Sequence, residues 1–186
     1  MNTFLKFAPV RSQKAARRAY TLIEILIVVA VLGIAGAMVI PAFAQTGVLR
    51  VQSAVRMIVA DLTQAQSDAI AYQQGRGVKF FVNQKQYKIA MARGTTLDFT
   101  LDLLDTRSFV AEDFGHSDIT AVNFNGGDTL VFDEMGSPIT AAGSGVAAPN
   151  GTVDISGSGQ IFRITVEAYT GRCTVANVTP PGTPIP

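Results

Sequence analysis

The chain reads RAYTLIEILIVVAVLGIAGAMVIPAFA over residues 18–44, and this stretch decides how the protein is organised. One acidic residue, Glu24, stands ahead of the unbroken apolar or small residues 25–44. An apolar run of about 20 residues, at roughly 1.5 Å per helical residue, is long enough to cross the hydrocarbon layer of a membrane. A carboxylate at depth in such a span costs on the order of a few kcal/mol if unpaired, so we expect Glu24 to have a partner.

Charge is distributed unevenly along the chain. Residues 1–19 contain no acid, and their basic side chains are Lys6, Arg11, Lys14, Arg17 and Arg18. The remainder therefore holds 10 of the 15 basic residues against all 14 acidic ones, a net charge of −4. Basic residues before an apolar span favour a cytoplasmic N-terminus, which places everything after residue 44 on the other side. A mildly acidic domain lacks the basic face that nucleic-acid binding needs.

The residues by themselves leave three interpretations of this N-terminal segment. Residues 42–45, AFAQ, are typical of a signal-peptidase site, but the apolar run before them is longer than the roughly 7–15 residues of such a signal. A simple membrane anchor explains the length of the run and nothing else. Neither interpretation gives Glu24 a use, and the third interpretation begins from residues 17–24.

Residues 17–24, RRAYTLIE, resemble the type IV prepilin cleavage motif, in which a basic stretch and a glycine precede FTLIE. Ala19 stands where glycine is usual, and Tyr20 where phenylalanine or methionine is usual. The resemblance implies cleavage between Ala19 and Tyr20 and methylation of the new terminus by a prepilin peptidase/methyltransferase. It implies assembly roles for Thr21, Leu22, Glu24 and Pro41, the last at the position of a helix-kinking proline.

A physical reason for Glu24 follows from such a cut. The new α-amine of Tyr20 is largely cationic at neutral pH. Each of the two charges is costly alone in a helix bundle surrounded by lipid, and the pair is tolerated. We therefore expect Glu24 of one copy to neutralise the terminus of a neighbouring copy.

After Pro41 the apolar residues become periodic and predict one stripe of an amphipathic helix that packs on the chain's own sheet. The stripe consists of Val48, Val51, Val55, Ile58, Leu62, Ala65, Ala69 and Tyr72. A single helix is predicted over residues 20–74, about 80 Å long. Gly75 and Gly77 are expected to end it.

Beyond residue 78 the apolar period drops to two and predicts a small antiparallel β-domain. The predicted strands are 78–82 paired with 86–91, 97–104, 119–124 paired with 129–132 around the turn 125–128, 152–156 paired with 160–169, and 172–176. Residues 136–151 read as a surface loop, and residues 179–186 as a flexible tail.

Three further segments are similar to the GspH/FimT family: residues 62–70, 129–136 and 164–175, with Gln66 where arginine is usual. The resemblance implies an α+β, pilin-like fold with a long N-terminal helix packed on a small antiparallel sheet. It implies four parts: a leader peptide 1–19, a transmembrane and assembly half of the helix 20–44, a periplasmic domain 45–178 (helix 45–74 plus sheet 78–176), and the tail 179–186.

The function implied by the resemblance is structural: a minor pseudopilin, GspH-like, in a type II secretion system that exports folded proteins. Such a subunit would sit in the inner membrane with a periplasmic C-terminal domain, contact membrane lipid and join other pilin-like subunits in a filament. A FimT-like minor pilin, in pilus assembly or DNA uptake, is the alternative. From another class, a conventionally secreted or anchored β-domain with a binding or enzymatic role also remains open.

The β-domain contains no recognisable catalytic, phosphate-binding or metal-ligand motif, so we expect no enzyme activity and no cofactor. Cys173 and His116 each stand alone, and Cys173 is expected to be a small, partly buried apolar residue. The densest acids, between Asp98 and Asp118, lack the spacing of a calcium loop. DNA is not expected as a partner, although Arg76, Lys79, Lys85, Lys88 and Arg93 cluster in sequence and are expected to be solvated.

Overall fold

The computed structural model describes residues 20–82, 84–109, 114 and 117–180, without the side chains of residues 38–46. The predicted leader 1–19 and residues 181–186 of the predicted tail lie outside this description. The chain divides into two units, Met1–Ile40 and Pro41–Pro186. Within the described part, no helix is both long and apolar enough to cross a membrane.

One helix, α1, runs from Leu22 to Tyr72. It ends in a Schellman motif, in which the Gln74 amide donates to Ala69 O at 3.1 Å and the Gln73 amide donates to Ile70 O at 3.3 Å. Gln73 takes the left-handed conformation of that motif, with φ 51°. The prediction that Gly75 and Gly77 end the helix is therefore wrong, because Gln73 reverses the chain before Gly75.

Within the described residues ten strands follow α1, and every pairing between them is antiparallel. The strands are β1 (Arg76–Phe81), β2 (Gln86–Arg93), β3 (Thr96–Leu97), β4 (Leu103–Ser108), β5 (Asp118–Asn123), β6 (Thr129–Phe132), β7 (Pro138–Ile139), β8 (Gly151–Gly157), β9 (Gln160–Val166) and β10 (Cys173–Asn177). One sheet has the order β3-β2-β1-β6-β7, with β4 also paired to β2, and the other has the order β10-β9-β8-β5. The predicted α+β class is confirmed.

The core forms where the apolar stripe of α1 meets both sheets. The predicted stripe residues Val51, Val55, Ile58, Leu62, Ala65 and Ala69 are all buried in one cluster with residues of the two sheets. The two stripe residues at the ends are exceptions: Val48 is only half-buried, and Tyr72 remains 69% exposed. For Tyr72 the position in the chain explains this. It is the last helical residue, and its ring lies beneath the Arg76 guanidinium, 5.4 Å away, instead of entering the core.

The predicted strand over residues 97–104 is wrong. Asp98 accepts hydrogen bonds from the amides of Thr100 (2.7 Å) and Leu101 (3.0 Å), so the segment forms a turn between β3 and β4. This local side-chain to backbone bonding outcompetes the alternating pattern of leucines, and Leu101 is left in solvent.

The predicted hairpin of residues 119–124 with 129–132 is also wrong. The turn closes locally, with a bridge between Phe124 and Gly127. However, β5 then pairs with β8 and β6 pairs with β1, so the two strands enter different sheets. The prediction of a single sheet over residues 78–176 is therefore wrong. The strands form two sheets, and each sheet contributes buried apolar residues that cover the helix stripe.

Two shorter predictions need correction. Residues 136–151 are not only a surface loop: β7 lies within them, and Ile139 and Ala148 are buried. The strand predicted over 160–169 ends at Val166, because Tyr169 adopts a positive φ of 62° in the turn that leads to β10.

Candidate functional site

Thr21 is the N-cap residue of α1. The Thr21 hydroxyl accepts a hydrogen bond from the Glu24 amide at 3.2 Å, and the Thr21 carbonyl accepts from the Ile25 amide at 3.2 Å. Residues 21–24, TLIE, match the capping-box pattern of Ser/Thr followed three positions later by Glu. A carboxylate in the first turn is also favoured by the helix dipole. The sequence contains this capping-box pattern, but we did not predict from it that residues 21–24 cap the helix.

The first turns of α1 expose an apolar surface. Leu22 is 84% exposed, and every described side chain from residue 20 to residue 37 is exposed. A shallow groove of about 500 Å³ runs along the first turns, lined by Tyr20, Thr21, Leu22, Ile25, Leu26 and Val29. Contiguous apolar surface of this kind marks a place where another apolar body binds.

The structure therefore places four of the six predicted site residues in one helical start: Tyr20, Thr21, Leu22 and Glu24. Ala19, on the other side of the predicted cut, lies outside the described residues. Pro41 lies within α1, and its side chain is likewise outside the description. The functional roles predicted for these residues remain predictions.

The basic residues that cluster in sequence do not form one cationic surface. Three are paired with carboxylates: Lys79 with Asp128 at 3.7 Å, Lys85 with Asp118 at 3.6 Å, and Arg93 with Asp102 at 2.5 Å. Arg76 is only 5% exposed and donates to the carbonyls of Gln74 and Gly75 beyond the end of α1. Lys79 and Lys88 face each other across β1 and β2, but the paired Asp128 offsets one of the two charges.

Asp98 and the single cysteine, Cys173, each have a structural explanation. The backbone amides of Leu101 and Thr100 lower the pKa of Asp98. No group of three metal-ligating side chains occurs within the described ranges, while Glu112, Asp113 and His116 lie outside them. Burial raises the pKa of the Cys173 thiol to about 11, so this half-buried residue is a poor nucleophile, as its expected apolar role requires.

Two polar contacts between helix and sheets had no signal in the sequence. The carboxylate of Asp61 accepts hydrogen bonds from the Tyr87 hydroxyl at 2.5 Å and from Arg107 Nε at 3.0 Å. Gln66 Nε2 donates at 2.8 Å to Gly136 O and at 2.8 Å to Thr170 O, which lie in turns of different sheets. Both contacts join residues far apart in the chain, where no local pattern could reveal them.

Comparison with known proteins identifies the N-terminal segment. A family model described as the prokaryotic N-terminal methylation motif matches residues 14–40. None of the curated proteins matches this chain.

Among solved structures, the type IV minor pilin FimU of Pseudomonas aeruginosa is similar with a TM-score of 0.49 and 16% identity, over 68% of this chain and 87% of FimU. The minor pseudopilin EpsH of the Vibrio cholerae type 2 secretion system gives a TM-score of 0.45 and 13% identity, over 71% of this chain and 98% of EpsH.

The class of the protein follows from the methylation motif and the elements behind it. A prokaryotic N-terminal methylation motif leads into one long helix, and that helix is covered by antiparallel sheets. This chain is a type IV pilin-like protein.

Proposed function

We propose that this chain is a non-enzymatic minor subunit of GspH type in a type II secretion pseudopilus, where it assists the export of folded proteins. The observation that carries the proposal is the capped helix start at Thr21, with Glu24 in its first turn, inside a matched methylation motif. In this proposal residues 1–19 are the leader, residues 20–44 insert in the inner membrane, and residues 45–178 form the periplasmic domain with the tail 179–186 behind them.

In this proposal, assembly depends on the positive charge of the new N-terminus at Tyr20 and the negative charge of Glu24. Cleavage between Ala19 and Tyr20 leaves a cationic α-amine close to a surface that is otherwise apolar. Glu24 of a neighbouring subunit supplies the opposite charge, and the pairing is worth most where water is excluded. The exposed apolar side chains of the first turns then pack against lipid or neighbouring helices.

The capping-box pattern predicts a second, local role for the Glu24 side chain, a hydrogen bond back to the Thr21 amide, which any test must separate from assembly. A capping box accepts glutamine as well as glutamate at this position. Glu24→Gln therefore retains this side-chain bond and removes the charge, whereas Glu24→Ala removes both. The bond from the residue-24 amide to the Thr21 hydroxyl remains in either variant. Thr21→Ala removes the hydroxyl cap and leaves the charge in place, which makes it the matched control.

The proposed experiment follows processing and assembly of the full chain in its host. Mass spectrometry of the mature N-terminus is expected to show a methylated Tyr20, and a start at Gln45 would contradict the proposal in favour of conventional secretion. Glu24→Gln and Glu24→Ala are expected to be inserted and cleaved normally but excluded from filaments. Thr21→Ala keeps the charge but alters a residue with a predicted assembly role of its own, and it is expected to be incorporated better than Glu24→Gln. Normal incorporation of Glu24→Gln would contradict the proposed pairing between Glu24 and the α-amine of a neighbouring subunit.

Secretion is proposed ahead of DNA uptake because of the charge on the folded domain. The chain after residue 19 has a net charge of −4, and three of the five clustered basic residues are already paired with carboxylates. A protein that binds DNA through phosphate contacts gains affinity steeply at low salt. A salt-dependent DNA-binding assay is expected to show no such gain, and loss of the chain is expected to block export of a folded cargo instead of pilus-dependent motility.

A further inference from the structure

Strand β10 is an edge strand. It pairs with β9 on one side and stands last in the order of the second sheet, so its other side has no neighbouring strand in the part of the chain that the structure describes. Two backbone contacts at its ends show which groups face β9. The Glu167 amide donates to Arg172 O at 2.9 Å, and the Val178 amide donates to Ile161 O at 2.8 Å. The backbone groups of Arg172, Val178 and every second residue between them therefore face β9.

The remaining residues of β10 direct their backbone groups to the open edge. The amides and carbonyls of Cys173, Val175 and Asn177 point away from β9, at intervals of about 6.8 Å, which is two residues of an antiparallel strand. No residue that the structure describes is hydrogen-bonded to these groups. The three side chains share one face of the sheet, and on that face Cys173 packs against the core. The open edge thus offers three donors and three acceptors at the spacing of a β-ladder.

The other edge strands carry features that hinder strand pairing, whereas β10 has none of them. β4 contains Asp105 and Arg107, β5 begins with Asp118, and the pairing of each with its neighbour contains a shift in register. β3 and β7 are two residues long, and β7 begins with Pro138. Charges, register shifts, proline and short length are the devices that protect an edge. The sequence of β10, CTVAN, has no charge and no proline, and its register with β9 is unbroken.

A groove lies beside this open edge. It has a volume of about 550 Å³ and runs between α1 and strands β9 and β10. Val59 of α1, Phe162 of β9 and Val175 of β10 contribute to its apolar lining, and Val175 is 48% exposed. Because side chains alternate along a strand, a strand added to β10 would direct every second side chain toward this groove.

These features define the chemistry of the occupant. A row of backbone groups at strand spacing is matched by an extended chain, and an apolar groove on one face is matched by apolar side chains at alternate positions. The tail of this chain is unsuited, because Pro180, Pro181, Pro184 and Pro186 have no amide hydrogen to donate. A minor subunit has few copies of itself as neighbours, so the strand is expected from a different protein.

We propose that β10 is a docking edge, to which a different pilin-like subunit of the same filament adds an extended strand with alternating apolar side chains. Main-chain hydrogen bonds to Cys173, Val175 and Asn177 supply affinity, and the apolar side chains that enter the groove supply specificity. The added strand extends the second sheet by one strand beyond β10. The inference deepens the proposed function, and it rests on that function for the presence of neighbouring pilin-like subunits.

Photo-crosslinking of the full chain in its host identifies the partner. The photoreactive residue p-benzoylphenylalanine replaces Thr174, an exposed residue of β10, and in a matched control it replaces Thr106, an exposed residue of β4. The expected product is an adduct, formed from position 174 only, with a different protein whose mass spectrum shows an N-terminal methylation motif. Four outcomes would overturn the proposal: no adduct, an adduct with a second copy of this chain, an adduct with a protein of another class, or equal yields from both positions.

Proline variants of the crosslinking chain test whether the contact is strand pairing. Val175→Pro removes an amide that points away from β9, so the β9–β10 hairpin is retained, and the adduct yield is expected to fall at least about fivefold, the effect of one lost hydrogen bond. Thr106→Pro is the matched control, since the Thr106 amide donates to the neighbouring Asp105 side chain, and it is expected to leave the yield unchanged. A folded Val175→Pro chain with an undiminished yield would show that backbone pairing is not involved.

Lysine variants retain the backbone amide and keep the test decisive if proline unfolds the hairpin. Val175→Lys places a charge in the groove and is expected to lower the adduct yield, whereas Ala176→Lys places the same charge on the opposite face of β10 and is expected to change the yield less than about twofold. Equal yields from the two would overturn the proposal. The two proposals fail separately: Tyr20 processing and entry into filaments test the pilin-like function, whereas a processed, incorporated chain without this adduct disproves only the docking edge.

Discussion

The Tyr87 hydroxyl donates a hydrogen bond to the Asp61 carboxylate across an O–O distance of 2.5 Å, joining β2 to α1. Tyr87 is completely buried, among the largest side chains in the core, and Arg107 of β4 donates to the same carboxylate oxygen. Burial is the main reason that the pKa of Tyr87 is raised above its ordinary value, and the hydrogen bond to Asp61 raises it further. This polar contact, like that of Gln66 with the β6–β7 turn, holds the helix against the first sheet in an interface made mainly of apolar side chains.

Tyr87→Phe is expected to lower the free energy of unfolding by about 1.5 kcal/mol, because a buried hydrogen bond to a charged group is lost while the ring is kept. Denaturant unfolding of the purified full chain in mild detergent, followed by circular dichroism, measures the change. Tyr169→Phe is the matched control, since Tyr169 is exposed, and is expected to change stability by less than about 0.5 kcal/mol. Equal effects of the two variants would contradict a structural role for the bond.

The raised pKa of Tyr87 predicts an alkaline loss of stability. In the unfolded chain Tyr87 releases its proton near its ordinary pKa of about 10, whereas the folded chain retains it. Above that pH the unfolded state binds fewer protons, so stability falls as pH rises, by up to about 1.4 kcal/mol per pH unit. The advantage of the wild-type chain over Tyr87→Phe should be constant from about pH 7 to 9 and shrink above about pH 10. A constant difference at all pH values would disprove the linkage.

Gln66→Glu is expected to destabilise the domain by about 2–3 kcal/mol. It replaces the Nε2 donor to two carbonyl oxygens with a carboxylate, which has no hydrogen to donate to either of them. Gln66→Ala should cost less, since it removes the donor without adding a charge. Gln64→Glu on the exposed face is the control, with an expected effect of roughly 0.5 kcal/mol from its like-charged neighbour Asp68. Denaturant midpoints rank the three, and a Gln66→Glu variant as stable as Gln64→Glu would contradict the bridging role.

Gln73→Gly is expected to stabilise the domain by about 0.5–1 kcal/mol. Gln73 occupies the left-handed position of the Schellman motif, with φ 51°, where glycine avoids the steric cost of a side chain. Gln74→Gly is the matched control and should be neutral or destabilising, because Gln74 is not among the described residues with a positive φ. Thermal unfolding compares them, and a lower midpoint for Gln73→Gly would show that the side chain contributes more than its strain costs.

Gly151→Ala is expected to destabilise the domain by about 1–3 kcal/mol through overpacking, since a Cβ atom at this position would lie 2.1 Å from the Phe124 ring. Phe124→Leu in the same chain should recover part of the loss by making room. Gly127→Ala is the control, as its nearest neighbour would be 3.5 Å away. Additive losses in the double variant, measured by denaturant unfolding, would rule out a direct clash.

Several parts of this protein could be predicted from its sequence because their causes are local. The apolar stripe of α1 repeats at the helical period, and six of its eight residues are buried as that period requires. The β1–β2 and β8–β9 hairpins follow from short turns between alternating runs. The segment RRAYTLIE carried the resemblance that the methylation-motif match confirms.

The tertiary structure alone decided how the strands are divided between two sheets and which polar groups meet. The turn at 125–128 looks like a hairpin, yet β5 pairs with β8 and β6 pairs with β1. Both pairs bury apolar residues in the core beneath α1. The meetings of Asp61 with Tyr87 and of Gln66 with two distant turns depend on that arrangement. Local patterns specify which face of an element is apolar, but which faces come together is a property of the packed whole.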